Sequence, residues 1–199
     1  FMLRSSEETK EVYPFDFELH INYKLNKKEL TVEWQVKNCG DETMYFTIGG
    51  HPAFRFAKPE ETKADYVLKV PGKEKLEYVL IDISCGCANV DEVHMLQLSE
   101  ETYPLSDKLF AKDALVVDNG QIEEAWLCHK DGTPYVGVRS AGFPNYGIWS
   151  VEGAPFVCLE PWMGRCDNVG FNAELSEKPN VNKVEAGEKF TKDYTIVVA

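Results

Sequence analysis

No apolar run in the 199 residues approaches the length needed to cross a bilayer, which argues against a membrane protein. Positive charge is scarce as well. Twenty-one Lys and Arg stand against 33 Asp and Glu, and the net charge of -12 repels nucleic acid and anionic lipid over most of the surface. There is no phosphate-cradling glycine motif, no three-turn amphipathic helix, no internal repeat and no low-complexity linker. A nucleotide-binding α/β sheet is therefore not expected. The opening Phe1-Met2-Leu3-Arg4-Ser5-Ser6 lacks the basic and apolar regions of a signal peptide, which points to the cytoplasm. Of six cysteines four follow no framework spacing, and a chain this long needs no staples, so free thiols in a reducing compartment are expected. Cys85-Gly86-Cys87 is too tight for the usual zinc or redox pair and reads as a turn. No metal-ligand set and no cofactor motif is found, so chelators are expected to leave any activity intact.

What is present is alternation. Phe17, Leu19, Ile21, Tyr23 and Leu25 share one face of a half-buried strand, with Asp16, Glu18, His20, Asn22 and Lys24 on the other. After the polar break Asn26-Lys27-Lys28 the pattern restarts at Leu30, Val32, Trp34 and Val36, which predicts an antiparallel hairpin. Met44, Phe46 and Ile48 continue the meander to Gly49-Gly50, where the backbone is free to leave strand geometry. Further strands are predicted near residues 66–70, 77–81, 114–117, 124–129, 135–139, 146–151, 156–160 and 194–198, separated by Gly, Pro, Asn and Asp. Many short strands without intervening helices indicate an all-β, antiparallel sandwich or barrel, with residues 1–199 as one domain.

Two segments carry chemistry. Ile48-Gly49-Gly50-His51-Pro52-Ala53-Phe54 places an imidazole just past a strand end, before a stiffening proline. His20, on a polar strand face, and His94 and His129, without an obvious partner, read as surface or packing residues. Phe156-Val157-Cys158-Leu159-Glu160-Pro161-Trp162 ends an apolar run in an acid, a proline and a tryptophan. Desolvation there raises the carboxyl toward the range of a general base, and Trp162 offers a flat face of the kind that packs on a sugar ring. Packing in the core explains Trp162 equally well.

Together, Gly49-Gly50-His51-Pro52-Ala53-Phe54, Cys158-Leu159-Glu160-Pro161-Trp162-Met163-Gly164 and Gly187-Glu188-Lys189-Phe190, with Tyr13-Pro14-Phe15 and Tyr45-Phe46, resemble the aldose 1-epimerase (galactose mutarotase-like) family, in its LacX-like branch. That resemblance implies an antiparallel β-supersandwich with a shallow sugar cleft, His51 as general acid and Glu160 as general base. It places a sugar-binding aspartate near Asp113, with Asp118 as a rival. The implied reaction interconverts the α and β anomers of an aldose, with base and acid on opposite sides of the hemiacetal and no cofactor. Its substrate is a monosaccharide or sugar phosphate, with Arg55, Lys58 and Arg165 as candidate phosphate contacts. Relatives carry a further N-terminal segment with sugar-contacting residues, so a fragment, or a homodimer or second chain that completes the cleft, is expected. A longer form should be more soluble and more stable. The alternative is a non-catalytic carbohydrate-binding or regulatory module on the same fold. A glycoside hydrolase fits less well, since that chemistry needs paired carboxylates.

Overall fold

The computed structural model describes residues 1–199, and the alternation read from the sequence becomes strands. In chain order these are β1 Met2–Arg4, β2 Phe17–Asn26, β3 Glu29–Asn38, β4 Met44–Phe46, β5 Ile48–Gly49, β6 Ala53–Arg55, β7 Tyr66–Lys69, β8 Lys75–Asp82 and β9 Cys87–Gln97. They continue as β10 Thr102–Pro104, β11 Leu115–Val117, β12 Glu124–His129, β13 Pro134–Arg139, β14 Asn145–Trp149, β15 Phe156–Met163, β16 Asn182–Val184 and β17 Lys189–Val198. The one α-helix, α1 Glu7–Lys10, is a single turn held by a capping box between Ser6 and Thr9. No helix is long and apolar enough to cross a membrane.

Eight strands form one sheet in the order β1-β2-β3-β17-β13-β12-β7-β10. A second sheet runs β5-β15-β14-β11-β8-β9, with β6 also on β15, and β16 pairs β4 in a small third ribbon. Pairing between these strands is antiparallel throughout, which gives the expected supersandwich. The two large sheets bury Val32, Trp34, Leu68, Leu127 and Val138 from one side against Leu115, Val117, Tyr146, Ile148 and Leu159 from the other. Period two then decides the site: if Leu159 and Ile148 face the core, Cys158, Glu160 and Trp162 face away from it.

Three departures from the sequence reading have physical causes. The far end of the first hairpin projects into solvent, with Tyr23 55% and Leu25 74% exposed, so β2 is half-buried only along its first half. Cys87 does not end a turn but opens the eleven-residue β9, an edge strand paired to β8 and bridged at Ala88 to Asn168. Its alternation was hidden because the outward positions Val90, Val93 and Met95 are themselves apolar. Finally, β15 does not stop at Glu160 but runs through Pro161 to Met163. The Pro161 carbonyl accepts from Gly50 N–H at 2.9 Å, so the missing Pro161 N–H lies on the same side, at the break between β5 and β6. The return bond of that pair is absent, and β15 continues on its pairing with β14.

Candidate active site

β15 is flanked by β14 on one edge and by β6 then β5 on the other. On the face turned from the core, Cys158 lies between Ala53 and Trp149, Glu160 is opposite Gly147, and Trp162 lies between Gly49 and Asn145. The chain joining β5 to β6 is Gly50-His51-Pro52, so the break in the ladder is where the imidazole enters. His51 Nε2 stands 3.5 Å from Glu160 Oε1. The imidazole is 62% exposed and the Glu160 side chain only 3%. The edge of the His51 ring meets Trp149, with centroids 5.7 Å apart.

Burial pushes the Glu160 carboxyl up to about 7, the Asp113 charge adds to the rise, and the Trp162 side chain, hydrogen-bonded to it, opposes it. An acid with that value is half ionised near neutrality. Asp113 itself sits at φ 81, where a residue with a Cβ is strained, and its carboxylate accepts from Ala114 N–H at 2.7 Å. Asp118, the rival, is occupied: Arg165 grips it through Nε at 2.9 Å and Nη2 at 2.7 Å, and Asn145 donates to it at 2.7 Å. Arg165 is therefore committed to an ion pair, Lys58 lies 3.8 Å from Glu61, and Arg55 sits at the exposed end of β6.

The glycines explain how Trp162 lies down. A Cβ at Gly49 would fall 2.4 Å from the indole, and one at Gly147 would fall 2.3 Å from it. Neither residue has positive φ, so both are needed for close approach and not for backbone freedom. Gly50 likewise leaves room for Tyr194, whose ring a Cβ would meet at 2.9 Å. The strand ends at Gly49 as the sequence reading has it, but without the positive φ that favours glycine. One face of Trp162 is pressed on two strands, and the side chain also packs against the buried cluster of Val79, Ala88 and Val116. A cavity of about 620 Å3 is lined by Asp82, Asn89, Glu92, Asp113, Trp149 and Glu152, among others; it adjoins the pair through Trp149, while His51, Glu160 and Trp162 lie outside its wall.

The other histidines are elsewhere. His129 packs against the rings of Tyr66 and Tyr135, at 4.9 and 5.7 Å. His94 stacks on Tyr78 at 5.3 Å and does have a carboxylate neighbour, Glu92 at 3.6 Å, two residues away on the same face of β9. His20 lies 3.6 Å from Glu18. Sequence reasoning missed Trp149 and Gly147, which reach the site only through strand pairing.

The family model for aldose 1-epimerase matches residues 1–167, a span that holds both His51 and Glu160. The chain belongs to the aldose 1-epimerase family. Among its relatives is the chromosomal LacX protein of Lactococcus lactis, 29% identical over 201 residues, an alignment that takes in 100% of this epimerase-family chain and 67% of LacX. A galactose mutarotase related enzyme from Lactobacillus acidophilus superposes with a TM-score of 0.90 at 30% identity, covering 100% of this chain and 67% of that one. A galactose mutarotase-like protein from Lactobacillus casei, 23% identical, gives 0.85 over 100% of this chain and 69% of its own, which speaks for the fold.

Proposed function

We propose that this member of the aldose 1-epimerase family interconverts the α and β anomers of an aldose, with Glu160 as general base and His51 as general acid. The observation that carries the reading is the pair itself: an imidazole 3.5 Å from a buried carboxyl held at about 7. Opening the ring removes a proton from the C1 hydroxyl and gives one to the ring oxygen. Both oxygens are bonded to the same anomeric carbon. Two neighbouring side chains therefore reach both oxygens. Glu160 takes the hydroxyl proton while His51, as imidazolium, protonates the ring oxygen; after rotation about C1–C2 the roles reverse on closure. Trp162 supplies the apolar floor under the ring, and Asp113 a hydroxyl acceptor beside it. The residues run this chemistry in a cytoplasmic setting and without a cofactor.

The test is polarimetry of freshly dissolved α-glucose and α-galactose. The chain should hasten the drift in rotation, and Glu160→Gln and His51→Asn should each lower the rate by about 10²- to 10⁴-fold while circular dichroism stays unchanged. Because both act in one transfer, the double variant should be little slower than the poorer single. His94→Asn and His129→Asn should stay within roughly twofold of the parent. A folded Glu160→Gln at the parent rate removes Glu160 as base. A parent that binds sugar without hastening mutarotation establishes the carbohydrate-binding module instead.

A further inference from the structure

The alternation that turns Glu160 outward turns Cys158 outward with it, and Cys158 lies opposite Ala53, two residues past His51. One donor atom from each of His51, Cys158 and Glu160 falls within 4.8 Å of the other two. Cys158 is fully buried and Glu160 2% exposed, whereas His51 opens to solvent and leaves a path to the group. We propose that His51, Cys158 and Glu160 form a three-ligand site for a thiophilic divalent cation, Zn2+ first among them, whose fourth position faces the cleft.

The donor set selects the ion. One imidazole, one thiolate and one carboxylate suit Zn2+ or Co2+, while Mg2+ and Ca2+ need shells of six or more oxygens that this cluster lacks. The spacing is also close to what is needed. Tetrahedral zinc bonds put neighbouring ligand atoms about 3.3 to 3.6 Å apart. His51 and Glu160 already stand at 3.5 Å, so only the sulfur has to draw in, by about 1.5 Å at most. On binding, the Cys158 S–H bond breaks, a sulfur–metal bond forms and the proton leaves to solvent, as happens with a coordinating thiol in general. Burial pushes the free thiol up to about 12, so in the absence of metal Cys158 remains protonated and inert.

Since the metal takes both His51 and Glu160, the loaded chain has neither proton-transfer group free, and metal and sugar compete. That consequence rests on the proposed epimerase reading; the metal binding does not. The test is a Co2+ titration of the full chain carrying Cys39→Ser, Cys85→Ser and Cys87→Ser, which removes the more accessible thiols of its first half. A one-to-one complex with a sulfur-to-cobalt charge-transfer band, displaced by Zn2+, is expected. In the same background Cys158→Ala should abolish the band, and Cys158→Ala and His51→Asn should each weaken Zn2+ binding roughly tenfold or more in competition with a chromogenic chelator, a loss of about 1.4 kcal/mol or more. Unchanged affinity in a folded Cys158→Ala, or no stoichiometric complex in its parent, overturns the site. Binding with the band but with no mutarotation in the metal-free chain would sink the epimerase reading and leave this one standing. Mutarotation that Zn2+ does not slow, with no cobalt band, does the reverse.

Discussion

At the scale of single residues, the pair is tuned by what surrounds Glu160. The carboxyl is driven up first by burial and then by the Asp113 charge, against the pull of the Trp162 hydrogen bond. As the base, Glu160 must be ionised, so kcat/KM for mutarotation should rise with pH through a limb near 7. Asp113→Asn removes one of the two raising influences. The limb should then move to lower pH, and sugar affinity should fall if Asp113 also accepts from a hydroxyl. Rates followed by polarimetry from pH 5 to about 9 would read both effects, and a limb unmoved by Asp113→Asn would separate Asp113 from the base. His51 and Glu160 stood out in the sequence because each lies inside a short glycine-rich or apolar string, although only His51 follows a strand end, Glu160 lying within β15. The choice between Asp113 and Asp118 was not, because the Arg165 grip on Asp118 joins residues 47 positions apart.

At the scale of strands, the cleft depends on two neighbours of β15 carrying no side chain where Trp162 crosses them. Gly147→Ala would put a methyl 2.3 Å from the indole, and overpacking of this kind costs typically about 1–3 kcal/mol. Urea unfolding should show that loss and Trp fluorescence should shift; under the proposed function, in which Trp162 lies beneath the sugar, mutarotation should fall as well. Gly40→Ala, whose Cβ would meet nothing closer than 3.5 Å, should stay within about 0.5 kcal/mol of the parent. Equal stability of the two variants would refute the lying-indole account. Strands were readable where one face is apolar and the other polar, as in β3 of the sheet opposite the site. Two features were not. The outward Val93 and Met95 disguise β9, and Pro161 signals a strand end unless one knows that β14 goes on pairing with β15 along its other edge. Both depend on which strand lies alongside, and local pattern carries no such information.

For the whole molecule, the raised Glu160 has a thermodynamic consequence whose sign is fixed. Its folded value is about 7 against 4.5 for the free group, so between those two pH values the folded chain holds a proton that the unfolded chain gives up. The stability this contributes is fully present below about 4.5 and is lost as pH rises through 7. A difference of 7 minus 4.5 units corresponds to about 3 kcal/mol for a group so well buried, an order-of-magnitude figure. Ionising the base thus costs the fold stability at the pH where the base is useful, in keeping with the general opposition between stable folds and active sites. Glu160→Gln cannot ionise. Any fixed cost of fitting an amide is the same at all pH, so the quantity to examine is how the stability difference between variant and parent changes. From pH 4.5 to pH 8 it should move in favour of Glu160→Gln by up to about 3 kcal/mol in urea unfolding. Curves that run parallel across that range would mean that Glu160 is not held above its ordinary value, and the pH limb expected for mutarotation would lose its physical cause.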